Sequence, residues 1–148
     1  FDRSVMGYKW SSTKIVSIVD DELDITELFH DAVCDSIDGV SVVSFNDPVI
    51  ALEHFTQNKE RYALVISDFR MPNLTGLELL KKVKKFKSNV RTILVSDYEV
   101  EYNAVFQRYM QECIIDSFIE KPVTINQLCQ RVRDEFQVYQ LATASLLK

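Results

Sequence analysis

The sequence predicts an α/β fold in which five parallel strands form one sheet with helices on both faces. Five strand-like apolar runs alternate with five helix-like stretches, which is the pattern of repeated βα units. The first and third runs are nearly all apolar, as expected for strands that helices cover on both sides. Polar residues follow four of the runs, and the carboxyl ends of parallel strands are where such sheets bind ligands.

The order of elements follows from these periodicities. The strand-like runs lie near residues 14–19, 41–45, 62–67, 90–95 and 117–120, and the helix-like stretches near 22–37, 47–58, 75–87, 98–112 and from about 124. Asn46 or Asp47 can cap the second helix, with Pro48 in its first turn, and Thr124 can cap the last. Residues 1–13 show no periodicity and are predicted to be a tail, disordered or left over from trimming or tagging.

The last helix carries an apolar stripe that runs nearly to the end of the sequence. Its members recur at spacings of four and three and are Ile125, Cys129, Val132, Phe136 and Tyr139. We therefore predict a domain over residues 14–138 and a helical extension over 139–148. Two interpretations stay open: a packed helix with a frayed end, or a helix that forms a homodimer or begins a linker.

Composition excludes several classes of protein. A chain of 148 residues with 47% hydrophobic residues can bury the core of one soluble domain. The net charge of −5 argues against direct binding of nucleic acid. The three cysteines lack metal-binding spacing and predict reduced thiols in a cytoplasmic protein. No apolar run approaches the roughly 20 residues of a membrane span, so no membrane contact is expected.

Five polar residues at the strand ends form a chemically coherent set. They are Asp20 and Asp21 after the first run, Asp68 after the third, Ser96 after the fourth and Lys121 after the fifth. Because these strand ends meet at one edge of a parallel sheet, the five side chains are expected to share a pocket. Carboxylates there suit a divalent cation and the acceptance of a phosphoryl group, and the hydroxyl and ammonium groups suit its oxygens.

The ordered motifs resemble the receiver domains of two-component response regulators, the CheY-like family, over about residues 14–138. The motifs are Ile18-Val19-Asp20-Asp21-Glu22, Ser67-Asp68-Phe69-Arg70-Met71-Pro72 with Gly76, Leu94-Val95-Ser96, and Phe118-Ile119-Glu120-Lys121-Pro122. The resemblance implies a doubly wound, flavodoxin-like (βα)5 domain with strand order 2-1-3-4-5. It also implies a signalling switch that catalyses only its own phosphorylation and slow dephosphorylation.

The resemblance assigns roles to the acidic residues. Asp68 would be the phosphoacceptor, since a carboxylate is already ionised at neutral pH. Asp21 would bind Mg²⁺ directly and Asp20 through a water, while Asp68 and the backbone carbonyl of Arg70 share the metal, for which Mn²⁺ could substitute. A hard cation relieves the repulsion among clustered carboxylates. The donor would be the phosphohistidine of a sensor histidine kinase or of a phosphotransfer protein.

The same resemblance predicts how the signal leaves the pocket. Lys121 and Ser96 would contact the phosphoryl oxygens, and Phe118 would turn inward behind Ser96. That movement would remodel the face built from the fourth helix, fifth strand and fifth helix. The reader of this face would be a downstream protein target or an output domain outside this chain. The sequence does not specify whether the Lys121-Pro122 bond is cis or trans.

The chain departs from the family pattern near the pocket. Asp97 follows Ser96 where receivers usually have a small residue, and its charge is expected to disfavour small anionic phosphodonors or to add a metal contact. Arg70 and Tyr98 are bulky and are predicted to slow hydrolysis of the acyl phosphate. The segment 113–115 replaces a small, Gly-containing turn, which puts the standard partner geometry in doubt.

Two other functions are weighed against the phosphorylated switch. An aspartate-based phosphohydrolase also uses a carboxylate and Mg²⁺, but it has an Asp-x-Asp sequence on its first strand, whereas Asp20 and Asp21 are adjacent. A pseudo-receiver would bind its partner without phosphorylation. The intact pocket argues against that module, and Asp97 and Arg70 argue for it. A lysine-rich third helix, residues 81–87, is either a solvated face or a docking patch for an acidic partner.

Overall fold

The computed structural model of the protein describes residues 13–146. Five parallel strands form one sheet in the order β2-β1-β3-β4-β5, which confirms the predicted fold class and strand order. The strands are β1 (Lys14–Val19), β2 (Val40–Phe45), β3 (Tyr62–Asp68), β4 (Arg91–Ser96) and β5 (Ser117–Glu120). The predicted tail lies outside the described residues except for Thr13.

Five α-helices connect or follow these strands. They are α1 (Leu23–Ser36), α2 (Pro48–Asn58), α3 (Gly76–Phe86), α4 (Ala104–Gln111) and α5 (Ile125–Leu146). Alternate residues of the strands enter two separate cores: Val65 packs with residues of α2, α3 and α4, and Leu64 packs with residues of α1 and α5. Since successive strand side chains point to opposite faces, this division explains why the first and third strands are nearly all apolar.

Helix starts follow the predicted capping chemistry. The Asp47 carboxylate accepts a hydrogen bond of 2.9 Å from the backbone N–H of Val49. The hydroxyl of Thr124 accepts one of 3.1 Å from the N–H of Gln127. Asp47, rather than Asn46, therefore caps α2, and the Asn46 side chain is directed elsewhere.

The prediction of one fourth helix over residues 98–112 was wrong. The segment divides into a 3₁₀ turn, Tyr98–Tyr102, and the shorter helix α4. Asn103 separates them, because its side-chain oxygen accepts hydrogen bonds from the N–H groups of Val105 and Phe106 at 2.9 and 3.1 Å. An asparagine that bonds the backbone in this way starts a new helix instead of continuing the previous one.

The last helix is continuous to the end of the described chain. Tyr139 is only 3% exposed, packs near Ala63, and receives a hydrogen bond of 3.0 Å from the ammonium group of Lys87. Ile125 was predicted in the buried stripe but is 38% exposed, and Leu128 occupies the core in its place. The packing of α5 on the sheet therefore reaches into the segment that was predicted as an extension.

The lysine-rich helix α3 is not a uniform solvated face. Lys84 forms an ion pair of 2.7 Å with the buried Asp116, and Lys87 donates to the carbonyls of Glu60 and Tyr62. Lys81, Lys82 and Lys85 remain exposed. Two of the five lysines, Lys84 and Lys87, therefore connect α3 to neighbouring elements. Part of the lysine run thus has a structural role. No described helix is long and apolar enough to cross a membrane.

Candidate functional site

Four adjacent strands bring the predicted polar residues to one edge of the sheet. Asp20 follows β1, Asp68 ends β3, Ser96 ends β4 and Lys121 follows β5. Backbone hydrogen bonds fix the loops between them: the N–H of Lys121 donates to the carbonyl of Ser96 at 2.9 Å, and the N–H of Phe69 donates to that of Val95 at 3.1 Å. The strand order therefore creates the pocket expected from the sequence.

Three carboxylates form the centre of this pocket. One oxygen from each of Asp20, Asp21 and Asp68 lies within 4.8 Å of the other two. Asp20 and Asp68 are buried, with 4% and 6% of their surface exposed, while Asp21 opens to solvent. A partly open set of oxygen ligands is the donor chemistry that Mg²⁺ prefers, since this ion keeps several waters. The residues present therefore fit a hard divalent cation.

The electrostatics of the acid cluster also favour a bound divalent cation. Burial raises the pKa of Asp20 from its ordinary value of 3.8 to about 6, and the neighbouring Asp68 and Asp21 charges add to this effect. A hydrogen bond of 2.9 Å from the N–H of Glu22 to the Asp20 carboxylate opposes the rise. Ionisation of the buried Asp20 carboxylate is therefore unfavourable in free energy. A bound cation would offset this penalty.

Lys121 places a positive charge next to Asp68. The Lys121 Nζ lies 2.6 Å from Oδ1 of Asp68. The contact is an ion pair, because the ammonium and the carboxylate carry opposite charges. Burial raises the pKa of Asp68 although Lys121 opposes the rise. Burial by itself lowers the pKa of Lys121, but the Asp68 contact outweighs it and raises the pKa, so the ammonium stays charged.

The residues assigned to signalling and to modulation lie on β4 and β5 and on the segments that follow β3 and β4. Ser96 is buried at the end of β4. Phe118 is half-buried and contacts the ring of Phe106 on α4 edge-to-face, with centroids 5.2 Å apart. Tyr98 is 55% exposed on the 3₁₀ turn. The guanidinium of Arg70 lies 5.4 Å from the centroid of the Phe69 ring, so Arg70 stacks beside the pocket.

A cavity of about 500 Å³ opens beside the acid cluster. Its lining includes the polar side chains of Asp20, Asp97 and Lys121 and apolar side chains of α1 and of the segment after β5. The charge of Asp97 is close enough to contribute to the raised pKa of Lys121. Asp97 therefore lines the cavity beside the acid cluster, together with Asp20 and Glu22. The Lys121-Pro122 peptide bond next to it is cis.

Sequence reasoning missed two contributions to the site. Gly76 had been noted only as part of a motif, yet a Cβ there would overlap the carbonyl oxygen of Asp68. Only glycine permits this approach of α3 to the end of β3. Asn46 had been read as a helix cap, whereas its side chain donates to the backbone carbonyl of Asp20 at 2.8 Å. The only signal for Asn46 was a polar residue at the end of the strand next to β1.

The fold and the acid cluster define a doubly wound domain with three clustered carboxylates at its strand ends. Residues 16–133 match the sequence model of the response regulator receiver domain. The chain therefore belongs to the receiver domain family of two-component systems, a family of signalling domains that bind Mg²⁺ at such a cluster and interact with histidine kinases or phosphotransfer proteins.

Individual relatives agree with this membership. The chain is 29% identical over 116 residues to a transcriptional regulatory protein CpxR homolog of Haemophilus influenzae, an alignment that covers 78% of this chain and 47% of that protein. It is 31% identical over 83 residues to sporulation initiation phosphotransferase F of Bacillus subtilis, covering 56% of this chain and 64% of that protein. The chain thus spans about half to two-thirds of the length of these relatives.

Solved structures support the fold. The crystal structure of a response regulator receiver domain protein from Clostridium thermocellum superposes with a TM-score of 0.76 at 22% identity, covering 87% of this chain and 98% of that one.

Proposed function

We propose that this receiver accepts a phosphoryl group on Asp68 from the phosphohistidine of a sensor histidine kinase or phosphotransfer protein. The observation that carries the proposal is the position of Asp68. One oxygen of its buried carboxylate lies within 4.8 Å of oxygens of Asp20 and Asp21, and Oδ1 lies 2.6 Å from the Lys121 ammonium. A nucleophile close to both clustered acids, which can hold a cation, and a fixed positive charge is suited to phosphoryl transfer, where positioning and charge neutralisation supply most of the catalysis.

The residues around Asp68 have different roles in the phosphoryl transfer. Asp20, Asp21, Asp68 and the backbone carbonyl of Arg70 would hold Mg²⁺, or Mn²⁺ in its place, and the cation supplies charge neutralisation for the phosphoryl oxygens. An oxygen of Asp68 forms a bond to phosphorus while the bond from phosphorus to the imidazole nitrogen breaks, and that nitrogen keeps the electron pair. The Lys121 ammonium and the Ser96 hydroxyl bind oxygens of the transferred group.

The output of the switch is proposed to run through Ser96 and Phe118. When Ser96 moves towards the new phosphoryl group, it leaves room for Phe118 to turn inward. The edge-to-face contact between Phe118 and Phe106 links this movement directly to α4. The face formed by α4, β5 and α5 then binds a downstream protein or an output domain. The exposed side chains of Val138 and Leu141 on α5 are the positions through which a homodimer of that helix would form.

The proposal is tested by phosphorylation of the purified protein with Mg²⁺ and a small phosphodonor, followed by measurement of its intact mass. The native chain is expected to gain one phosphoryl group, and Asp68→Asn none. Asp38→Asn is the matched control, because Asp38 is an exposed acid in the turn before β2 and should leave phosphorylation unchanged.

A second candidate, a receiver that binds its partner without phosphorylation, is favoured by one observation: Asp97 places a negative charge at the pocket mouth. A small anionic donor could fail for that reason alone, so a phosphorylated histidine kinase domain is used as a second donor. Phosphorylation by the kinase domain supports the switch. Failure with both donors contradicts it and supports the phosphorylation-independent module.

A further inference from the structure

The loop after the edge strand β2 reaches across to the loop that carries the acid pair. The side-chain amide of Asn46 donates two hydrogen bonds, one to the backbone carbonyl of Asp20 at 2.8 Å and one to the hydroxyl of Thr26 at 3.0 Å. Asn46 lies 26 residues from Asp20 in sequence, so this contact is tertiary. It joins the end of β2 to both ends of the turn between β1 and α1.

The Thr26 hydroxyl is positioned to accept the hydrogen bond from Asn46. It is 1% exposed on the first turns of α1, and its hydroxyl donates to the carbonyl of Leu23 at 3.0 Å. Its hydroxyl proton is therefore committed, and a lone pair of the same oxygen accepts from Asn46. The amide of Asn46 is thereby fixed at two points, which orients its other N–H towards Asp20.

Asp20 is held from several directions as a result. Its N–H donates to the carbonyl of Phe45 at 3.1 Å, its own carbonyl accepts from Asn46, and its carboxylate accepts from the N–H of Glu22 at 2.9 Å. Two of these three bonds come from the end of β2 and its loop. The buried carboxylate is consequently kept close to Asp68 although the two negative charges repel each other.

We propose that Asn46, oriented by Thr26, is a positioning residue that preorganises the acid pair for the divalent cation. This inference rests on the proposed function, since it concerns the same cation site. Asn46 itself contacts the backbone of Asp20, and it acts through that contact. Residues that orient metal ligands from outside typically contribute about 10- to 100-fold in metal affinity. Loss of the amide is therefore expected to weaken Mg²⁺ binding by about 10-fold.

The chemistry of position 46 is specific. In Asn46→Ala the carbonyl of Asp20 and the hydroxyl of Thr26 lose their donor. In Asn46→Asp a carboxylate oxygen would replace a donor that faces a carbonyl, which turns attraction into repulsion. Thr26→Val keeps the shape of the side chain and the bond from Asn46 to Asp20, but it removes the second anchor. The expected order of Mg²⁺ affinity is native, then Thr26→Val, then Asn46→Ala, then Asn46→Asp.

Mg²⁺ titration of the full chain by calorimetry tests this order without any phosphorylation. The matched control is Asn58→Ala, because the amide of Asn58 also donates to a backbone carbonyl, that of His54 at 2.9 Å, away from the pocket. The control should bind Mg²⁺ as the native chain does, while Asn46→Ala should show a Kd about 10-fold higher. Melting temperatures of all variants show whether each is folded.

A second measurement separates positioning from general distortion. The initial rate of phosphorylation is recorded against Mg²⁺ concentration. If Asn46 only positions the acids, saturating Mg²⁺ restores the rate of Asn46→Ala to the native value. An unchanged Kd in Asn46→Ala, or a rate that saturating Mg²⁺ does not restore, overturns the inference.

Failure of the proposed function gives a different result. If the native chain binds Mg²⁺ but accepts no phosphoryl group, the proposed function is wrong. The Mg²⁺ affinities of the variants still test the positioning role of Asn46 in that case. A native chain that does not bind Mg²⁺ overturns both.

Discussion

Replacing Asp20 by asparagine should stabilise the metal-free protein, although Asp20 belongs to the proposed functional site. The carboxylate is buried and lies near two other acids, and its pKa is raised to about 6. Asparagine has nearly the same shape and keeps an oxygen that can accept from the N–H of Glu22. The substitution therefore removes the cost of a buried charge while it preserves the local hydrogen bond.

The magnitude follows from linkage between proton binding and folding. One pKa unit corresponds to about 1.4 kcal/mol, so a rise from 3.8 to about 6 makes ionised Asp20 cost the folded state about 3 kcal/mol. The folded state binds the proton more tightly than the unfolded state does. The contribution of Asp20 to stability is therefore least favourable above pH 6 and improves as pH falls through about 6 towards 3.8. At pH 5 about half of the cost is already relieved.

Urea unfolding followed by circular dichroism, with a chelator present, measures this effect. Asp20→Asn is expected to raise the free energy of unfolding by about 1–3 kcal/mol at pH 7 and by about half as much at pH 5. The control Asp38→Asn should change it by less than about 0.5 kcal/mol at both values. An Asp20→Asn variant that is no more stable than the native chain at pH 7 would refute the argument that this carboxylate is held at a cost.

Three further variants test the close approach at Gly76, the charge of Asp97 and the bulk of Arg70 and Tyr98. Gly76→Ala should lower the free energy of unfolding by about 1–3 kcal/mol, measured by urea unfolding, because its methyl group would overlap the backbone of Asp68. Asp97→Ala should increase the rate of phosphorylation by a small anionic donor, followed by intact mass, because it removes a negative charge from the entrance. The double variant Arg70→Ala, Tyr98→Ala should shorten the lifetime of the phosphorylated protein, since water would reach the acyl phosphate more easily.

Each of these expectations has a result that would contradict it. Gly39→Ala serves beside Gly76→Ala, because a Cβ at Gly39 meets no atom within 4 Å, although its positive φ of 77° makes any side chain mildly strained. Equal costs at the two glycines would contradict the crowding argument. For Asp97, the phosphorylation rates of the native chain and of Asp97→Ala are compared at low and at high salt. Rates that do not depend on salt in either protein would exclude a role for the Asp97 charge. An unchanged lifetime in the double variant would remove Arg70 and Tyr98 as barriers to water.

The sequence was sufficient for the sheet and for the members of the pocket because both depend on short local patterns. A buried strand shows itself as an apolar run, and the polar residue that ends it lies at the binding edge by topology. Asp20, Asp68, Ser96 and Lys121 are identified in this way, and the structure places each at the carboxyl end of a strand or directly after it. The family resemblance added the strand order, which periodicity alone does not give.

The remaining features depend on tertiary contacts that a local pattern does not encode. Asn46 could satisfy either a helix start or a distant carbonyl, and only the folded chain shows that Asp47 takes the cap. The break at Asn103 depends on which backbone groups its side chain bonds. Cys113 adopts a φ of 61°, the left-handed region that favours glycine, where the family usually has a Gly-containing turn. The sequence showed the missing glycine but not the backbone conformation that persists without it.

The central claim is that Asp68 carries the phosphoryl group. The most direct measurement is to phosphorylate the native chain, reduce the acyl phosphate with borohydride and locate the product by peptide mass spectrometry. Borohydride converts an acyl phosphate of aspartate into homoserine, which marks the acceptor permanently. The account predicts homoserine at position 68 only, dependent on Mg²⁺ and absent without the donor. Homoserine at position 20, 21 or 97, or none in a chain that has gained mass, would contradict it.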